Sequence, residues 1–544
     1  MKRILFVSAL LVSTQVFAGE YLVKYRNTSA YSTLSTLSYS NQIQVLDNHT
    51  IGRLVKVDIN KQNEAATLAS LLKNPAIEYV VPNFKLHTFS APMDMMALKN
   101  QWANAKVQVE QAWQRAGNKG SKNVLVAVID TGVDYNHDAL KPNMVQGYDF
   151  AENDNDPMDK TGFQNPGHGT HCAGVIGATG VIDGGIVGIS PEVSIMPLRF
   201  LTENGSGDLN NAIKAIDYAI ANKVQVISAS WGASVPRATA QPLLEAVKRA
   251  DDAGLIFVAA AANDGKNNDT TEVYPANNGL PNSITVAASG PNDEKPSWSN
   301  YGTAKVHLAS PGLNITSTLP GNKYGDLSGT SMATPLVSGL VALMKAQDAS
   351  LTGAQVRAIL QTTGAKAQIQ TACNCRVDAL AAVDAVISKK MTLVPAAATI
   401  GSGEKINFQV WHGTAPFTFT SSNSSVASVN NNGELTGMSN GTTVVTVTDS
   451  TGKTAATLNI NVGAGSSQPA PQPTPPSNPG NPGQPPAPPD PNPPSNPPPS
   501  NPPPSNPPGN PGNPGQPGQC PLGDPMICQI ICQLEPSLPF CGTP

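Results

Sequence analysis

Residues 123–134 read NVLVAVIDTGVD, and this stretch decides the fold of the central part of the chain. It is a nearly continuous apolar run, which is typical of a strand buried on both faces of a parallel sheet. Similar runs recur at 193–200, 224–230, 255–263, 283–289 and 305–312, and helical patterns such as 209–223 and 333–347 lie between them. This alternation predicts an α/β fold over residues 96–388, in which helices flank a mostly parallel sheet.

The residues before this unit divide into two segments. Lys2 and Arg3 precede an apolar run that ends in small residues, so residues 1–18 are expected to be a secretory signal peptide. Residues 19–95 mix strand-like and helix-like patterns, which predicts a small α+β domain of two or three strands and two helices. The stretch from His87 to Asn100 is loop-like.

The residues after the central unit change character twice. Residues 390–463 are rich in Thr, Ser, Val and Asn, with turn sequences at regular intervals, which predicts a small antiparallel β-sandwich. Residues 464–519 consist almost wholly of Pro, Asn, Gly, Ser and Gln, so a disordered Pro-rich linker is expected there. Residues 520–544 hold four cysteines and predict a disulfide-bonded knob of open pairing, with a zinc site as the alternative.

The overall composition narrows the possible partners and the redox chemistry. Charged residues make up 13% of the chain and the formal net charge is −4, so no nucleic-acid partner is expected. No segment after the N-terminus is apolar and long enough to predict a membrane span. Of the seven cysteines, Cys172 is predicted to be a free thiol, and the pairing of Cys373 and Cys375 is left open.

Three polar residues stand at the ends of apolar strands or the starts of small-residue helices, namely Asp130, His168 and Ser331. Taken singly, each has an ordinary structural explanation as a helix cap or a buried histidine. Taken together, they supply a hydroxyl nucleophile, an imidazole base and a carboxylate that orients the imidazole. The combination therefore predicts a nucleophilic triad at the carboxyl edge of the sheet.

The motifs around these residues resemble a known family. VAVIDTGVD, GHGTHCAG and GTSMATP, in this order, are similar to the three signature segments of subtilisin-like serine proteases, the subtilase family, in its proteinase K and thermitase-like branch. The resemblance implies that Asp130 orients the base, that His168 is the general acid/base, with His171 as the alternative, and that Ser331 is the nucleophile. It also implies a buried Cys172 thiol that is sensitive to heavy metals.

Further segments extend the resemblance to the groups that bind substrate. FVAAAANDG at 257–265 resembles the oxyanion segment and implies Asn263 as the oxyanion donor, although Ala262 stands where the family usually has glycine. SASWGAS at 228–234 resembles the strand that pairs with an extended peptide, and its substrate-binding residues are expected to be Ser230, Trp231 and Gly232. Ala260 and Ala261 are expected to form the other wall of the primary pocket, with Val273 near its floor. No carboxylate is expected there, so the predicted P1 residue is apolar or small.

An acidic loop raises the question of a metal ion. The stretch DFAENDNDPMD at 149–159 places carboxylates at alternating positions, a pattern that suits Ca²⁺. A similar segment binds calcium in thermitase-like relatives. Asp149, Asp154 and Asp156 are therefore expected to hold a structural calcium ion, and the predicted chemistry needs no cofactor.

The resemblance implies a secreted serine endopeptidase that hydrolyses proteins through an acyl-enzyme and is made as an autoprocessed zymogen. EYLVKY and NPAIEYVVPN resemble the inhibitor-type propeptide of the family, which implies intramolecular inhibition and self-cleavage between residues 88 and 100. Residues 424–452 resemble group 2 bacterial Ig-like domains, which implies binding to a cell-surface or matrix target. The expected location is extracellular, with the periplasm or cell surface as alternatives. Two other functions stay open: a non-catalytic surface protein that retained the scaffold, and a processing protease with narrow substrates.

Overall fold

The computed structural model describes residues 19–26, 43–89, 101–180 and 185–463. The expected signal peptide, Pro-rich linker and Cys-rich knob lie outside these ranges. Within them the α-helices are α1 (Glu64–Lys73), α2 (Trp102–Lys106), α3 (Val109–Ala116), α4 (His168–Gly177), α5 (Leu209–Ala221), α6 (Gln241–Asp252), α7 (Thr330–Gln347), α8 (Gly353–Thr363) and α9 (Ala379–Ile387).

The central sheet has nine strands in the order β17-β18-β14-β13-β12-β10-β6-β8-β7, and every neighbouring pair except β17 and β18 is parallel. These strands are β6 (Leu125–Asp130), β7 (Tyr148–Asp149), β8 (Ser194–Arg199), β10 (Val226–Ala229), β12 (Ile256–Ala260), β13 (Ser283–Ser289), β14 (Leu308–Pro311), β17 (Ala365–Lys366) and β18 (Cys375–Arg376). After β6 the chain forms β7 and β8 on one edge of β6, and it then crosses to form β10 on the other edge. The carboxyl ends of β6 and β10 therefore flank a topological switch point, where α/β proteins form their sites.

Helices cover both faces of this sheet, and β6 shows how its residues are shared between them. Val126 and Val128 pack into a core with α4, α7 and α9, whereas Ala127 and Ile129 pack into a second core with α5 and α6. Successive side chains of a strand point to opposite faces, so a strand buried on both sides must be apolar throughout. The predicted α/β architecture is confirmed.

The N-terminal domain is a four-stranded antiparallel sheet in the order β2-β3-β1-β4 with one helix, α1, against it. Its strands are β1 (Glu20–Tyr25), β2 (Ile43–His49), β3 (Leu54–Ile59) and β4 (Ile77–Pro82). Two helices were expected, and the described residues contain one. Ion pairs join the domain to α5, α6 and the residue before α5: Lys24–Glu245 at 2.6 Å, Asp47–Lys214 at 2.6 Å, His49–Asp217 at 2.6 Å and Lys56–Asp208 at 3.1 Å.

The segment after this domain enters the central domain as a strand. β5 (Lys85–Thr88) lies between β9 (Ser206–Asp208) and β11 (Trp231–Gly232) and is antiparallel to both. The prediction of a loop is therefore wrong at His87 and Thr88. Their hydrogen-bond partners come from residues more than 100 positions away, and local sequence patterns do not report such pairing. The hairpin β15 (Ile315–Leu319) and β16 (Lys323–Leu327) lies just before α7.

The C-terminal described domain is a set of small sheets around one apolar core that includes Leu393, Phe419, Leu435 and Val447. The pairing is antiparallel except between β20 and β29. Its strands are β19 (Thr392–Val394), β20 (Ala398–Gly401), β21 (Lys405–Asn407), β22 (Gln409–Trp411), β23 (Thr418–Ser421), β24 (Ala427–Val429), β25 (Glu434–Gly437), β26 (Gly441–Thr443), β27 (Val445–Thr448), β28 (Thr454–Ala456) and β29 (Ile460–Gly463).

The cysteines of the described ranges are of two kinds. Cys172 is a buried free thiol, as predicted, and Cys373 forms a disulfide with Cys375, which the sequence left open. The four C-terminal cysteines lie outside the described residues. A search of the described helices finds none with the length and apolarity needed to cross a membrane.

Candidate active site

Asp130 and His168 meet at the carboxyl edge of the sheet. Asp130 is the last residue of β6 and His168 the first of α4, and both side chains are about 1% exposed. The Asp130 Oδ1 atom lies 2.7 Å from His168 Nδ1 and also accepts the Thr131 N–H at 2.8 Å. Burial alone lowers the pKa of the His168 imidazole, but the Asp130 carboxylate outweighs burial and holds that pKa well above its ordinary value.

Ser331 is the second residue of α7, and its side chain is fully buried. Its Oγ atom lies 3.0 Å from the carbonyl oxygen of Ser230 and 2.5 Å from the carbonyl oxygen of Phe89. In the described part of the chain His168 Nε2 has no hydrogen-bond partner, so the Ser331 hydroxyl points to these carbonyls and not to the imidazole. Helices α4 and α7 pack together, with Cys172 Sγ 3.4 Å from the Ser331 carbonyl oxygen.

The side chain of Asn263 is oriented by the residue before Ser331. Its Oδ1 atom accepts hydrogen bonds from the backbone N–H and the hydroxyl of Thr330, both at 3.0 Å. This leaves the Nδ2 group to donate to the Phe89 carbonyl oxygen at 2.6 Å. A Cβ atom on Gly329 would lie 2.4 Å from the same oxygen, so glycine is needed there for the carbonyl to approach. Asn263 therefore presents a donor to a peptide carbonyl that also contacts Ser331.

The backbone of the predicted substrate strand contacts the 85–89 segment directly. The Ser230 carbonyl accepts the Phe89 N–H at 3.3 Å, and Trp231 and Gly232 are registered with Thr88 and His87. A Cβ atom on Gly232 would lie 2.7 Å from the Phe89 ring, so this position too requires glycine. Ser230, Trp231 and Gly232, the residues predicted to bind substrate, therefore all pair with the extended segment 85–89.

The Phe89 ring contacts apolar residues that follow Ala260 and Ala261 in the chain. The Phe89 ring packs against Ala262, Val273 and Ala276, which includes the expected Val273. The Ala261 side chain packs instead with Ala287, Val306, Ala309 and Ile369, and Ala260 is the last residue of β12. Ala262 therefore joins the expected Val273 at the Phe89 ring, and the wall of Ala260 and Ala261 stays a prediction.

His171 and Cys172 also lie near the triad, but their surroundings set them apart from it. The His171 Nε2 group donates to the Ile315 carbonyl at 2.8 Å, and burial lowers the pKa of this histidine to about 3. His171 therefore anchors the β15–β16 hairpin and stays neutral. Burial also raises the pKa of the Cys172 thiol, which disfavours the nucleophilic thiolate.

The three carboxylates predicted to bind calcium do not form a cluster within 4.8 Å in the described part of the chain, and the calcium site stays a prediction. Asp149 is fully buried, and one of its oxygens pairs with the Arg199 guanidinium while the other accepts the N–H groups of Ala151 and Glu152. Asp156 accepts a hydrogen bond from the Tyr135 hydroxyl at 2.7 Å. The Arg199 guanidinium against Asp149 repels a cation, so the Asp149 carboxylate does not fit as a calcium ligand in this arrangement. Within the described ranges, Asp130, His168 and Cys172 are the group of three potential ligands whose atoms lie within 4.8 Å of one another.

Replacing Asp149 by asparagine is expected to lower the free energy of unfolding by about 3 kcal/mol, because it removes the buried carboxylate that pairs with Arg199 and leaves the guanidinium only the more exposed Glu152 and Glu203 nearby. The loss should be the same in EDTA and in calcium chloride, as measured by urea unfolding. Asp154→Asn is the matched control, since Asp154 is exposed and belongs to the same loop. A destabilisation by Asp149→Asn that appears only in calcium would restore the predicted metal site.

Some residues of the site carry no local sequence signal. Phe89 lies in a stretch that reads as a loop, and Ala276 follows a turn with no distinctive pattern. Asp159, close to the triad, is the last residue of the acidic stretch 149–159, which gives no sign of its contact with α4. The signal that could have identified Phe89 is the implied propeptide itself, whose tail must reach the nucleophile.

Comparisons with known proteins agree with this geometry. The subtilase family model matches residues 121–378, and the model of bacterial Ig-like domains (group 2) matches residues 387–460. The chain is 37% identical to a thermophilic serine proteinase of Bacillus sp. over 330 residues, which cover 60% of this chain and 78% of the relative. It is 39% identical to thermitase of Thermoactinomyces vulgaris over 275 residues, 51% of this chain and 92% of the relative. It is 33% identical to subtilisin E of Bacillus subtilis over 353 residues, 63% of this chain and 84% of the relative.

Proposed function

Because the chain belongs to the subtilase family and is a subtilisin-like serine endopeptidase, we propose that it is made as a secreted precursor that cuts itself to become active. In this proposal residues 1–18 are the signal peptide, 19–95 contain the propeptide, within which the first cut falls, and 96–388 are the catalytic domain. Residues 390–463 form an Ig-like domain, which residues 464–519 connect to the knob at 520–544. The C-terminal domains then hold the protease near a cell-surface or matrix target.

The proposed mechanism assigns one role to each residue of the site. Asp130 holds the imidazole of His168 by Nδ1, which leaves Nε2 free to accept a proton from Ser331. The Ser331 oxygen attacks the peptide carbonyl, and the developing negative charge is met by the Nδ2 group of Asn263. His168 then returns the proton to the leaving amine, and water hydrolyses the acyl-enzyme by the same steps in reverse order.

One observation carries the self-processing proposal: the carbonyl oxygen of Phe89 lies 2.5 Å from Ser331 Oγ and 2.6 Å from Asn263 Nδ2. The carbonyl to be attacked and the group that stabilises its charge are therefore already in contact. This carbonyl belongs to the Phe89–Ser90 peptide bond, which lies within residues 88–100, where self-cleavage is expected. We infer that it is the first bond the precursor cleaves.

The same segment indicates which substrates the mature enzyme accepts. The Phe89 side chain fills an apolar pocket, Leu86 is fully buried among residues such as Phe200 and Leu209, and the His87 side chain is exposed. Recognition between β9 and β11 uses backbone hydrogen bonds, which most extended peptides can offer. The proposed substrates are therefore proteins with an apolar residue, aromatic included, at P1 and an aliphatic residue at P4.

Phe89→Asp is expected to slow self-cleavage by at least about 100-fold, because a carboxylate would be buried without a partner against Ala262 and Val273. His87→Lys is the matched control, since it changes a neighbouring exposed side chain and should process at the wild-type rate. The purified precursor is sampled at early times, and intact mass and N-terminal sequencing of the products give the bond that is cut. A first product that does not begin at Ser90, or an unchanged rate for Phe89→Asp, would contradict the proposal.

The rival functions differ from this one in measurable ways. A non-catalytic surface protein would neither cleave casein nor react with a fluorophosphonate after removal of the N-terminal domain. A narrow processing protease would label with the fluorophosphonate but cleave few members of a proteome-derived peptide library. The contacts of Phe89 with Ser331 and Asn263 favour an active enzyme over the first rival.

A further inference from the structure

Asp159 is a buried carboxylate close to the triad to which the proposed mechanism gives no part. It lies in the loop before α4, and 4% of its surface is exposed. Burial raises the pKa of this carboxyl group to about 6, although several hydrogen bonds act in the opposite direction. Burying a carboxyl group costs free energy even when both oxygens accept hydrogen bonds. The position of Asp159 near His168 therefore suggests a role in the site.

The hydrogen bonds of Asp159 reach the first turn of the helix that carries His168. Its Oδ2 atom accepts the backbone N–H of Thr170 at 2.9 Å and the Thr170 hydroxyl at 2.7 Å. Its Oδ1 atom accepts the Nδ2 group of Asn165 at 2.9 Å. The N–H of Thr170, two residues after His168, is one of the groups at a helix start that have no partner within the helix, and Asp159 accepts its hydrogen bond.

The direction of these hydrogen bonds is fixed by Asn165. Its Oδ1 atom accepts the N–H groups of Gly167 at 3.0 Å and of His168 at 2.8 Å. Its Nδ2 group must therefore face acceptors, and it finds Asp159 Oδ1 and the Lys160 carbonyl. Both oxygens of Asp159 act only as acceptors in this arrangement, which asparagine at the same position cannot reproduce.

The network also reaches the turn that follows Asp130. The Thr170 hydroxyl, which donates to Asp159, accepts the N–H of Asp134 at 2.9 Å. The N–H of Gly169 in turn donates to the hydroxyl of Thr131, the residue after Asp130, at 2.9 Å. Asp159 therefore holds together the two backbone segments from which Asp130 and His168 project.

We propose that Asp159 is a positioning residue that fixes the His168 imidazole relative to Asp130 by accepting hydrogen bonds from Thr170 and Asn165. This rests on the proposed roles of Asp130 and His168. In Asp159→Asn, the new amide meets the Asn165 amide donor to donor, and the start of α4 must shift. A displacement of the base by a fraction of an ångström lowers the rate of the chemical step but leaves the substrate strand unchanged.

The test compares Asp159→Asn with wild type in the processed full-length chain, matured where necessary by a trace of wild-type enzyme and titrated for active sites with a fluorophosphonate. We expect kcat per active site to fall by about 10- to 100-fold while KM changes less than about twofold. The low-field proton NMR signal of the His168 Nδ1–H should shift at the same time. Lys160→Gln is the matched control, because it changes the exposed side chain next to Asp159, and it should change none of these quantities.

Two further variants test the same hydrogen-bond network, and a third tests the triad itself. Asp159→Asn combined with Asn165→Asp reverses the donor and acceptor and should restore part of kcat. Thr170→Val removes the hydroxyl link and should reproduce the selective fall in kcat even if Asp159→Asn does not fold. An unchanged kcat per active site with only a lower melting temperature would overturn the proposal. His168→Ala separates this failure from that of the proposed function: an active His168→Ala enzyme contradicts the triad itself.

Discussion

Ser331→Ala is expected to lower kcat by about 10⁶-fold, the scale of the loss when subtilisin loses its nucleophile. Without the hydroxyl no acyl-enzyme can form, and the remaining activity comes only from binding and from the oxyanion donor. The Ser331 side chain is small and fully buried, so alanine leaves the packing of α7 nearly unchanged. Casein hydrolysis and fluorophosphonate labelling should both disappear.

The same variant is expected to accumulate with its N-terminal domain still attached. In the structure Ser331 Oγ contacts the carbonyl of Phe89 in its own chain, so the self-cleavage needs the same hydroxyl as the attack on substrates. Gel mobility and intact mass of the isolated precursor measure this directly. Ser338→Ala is the matched control: it removes the hydroxyl of a second buried serine of α7, which donates to the Thr334 carbonyl at 3.0 Å, and it should process normally. A Ser331→Ala chain that matures alone in dilute solution would show that Ser331 is not the nucleophile for processing.

The sequence predicts well those features that local pattern determines. Alternating apolar strands and helices predict the α/β fold, because a strand buried on both faces must be apolar along its whole length. The strand-end position of Asp130 and the helix-start position of His168 follow from the same pattern, and the structure brings these two side chains within hydrogen-bonding distance. Motif resemblance adds Ser331 and Asn263, which meet at one carbonyl oxygen.

The features that the sequence misses depend on contacts between distant residues. Asp149 reads as a calcium ligand because its neighbours are acidic, but its partner is Arg199, 50 positions away. His87 and Thr88 read as loop because the strands that pair with them belong to another domain. Ala262 adopts a φ of 90° and packs with the Phe89 ring, and alanine gives little sequence signal for a positive φ. In each case the deciding interaction is a tertiary one that overrides the local pattern.

Asn263→Leu is expected to lower kcat by about 10²- to 10³-fold, or about 2.7–4 kcal/mol of transition-state stabilisation, which is the loss known for the oxyanion asparagine of subtilisin. Leucine has nearly the shape of asparagine but has no group to donate to the oxyanion. The Nδ2 group lies 2.6 Å from the carbonyl oxygen of the bound segment, so its bond strengthens as that oxygen becomes negative. KM for a peptide substrate should change little, because the strand pairing with Trp231 and Gly232 is retained.

A second variant separates the loss of the donor from the loss of the acceptor. Asn263→Asp keeps an oxygen for the two hydrogen bonds from Thr330 but brings a negative charge to the oxyanion position. We expect it to be at least as inactive as Asn263→Leu while the folded domain is disturbed less. Because the same amide contacts the Phe89 carbonyl of the precursor, the rate of self-cleavage should fall by the same factor as kcat for added substrate in both variants. A fall in kcat without a matching delay of processing would mean that the precursor is cut at another site or by another enzyme, whereas an unchanged kcat would remove Asn263 from the mechanism.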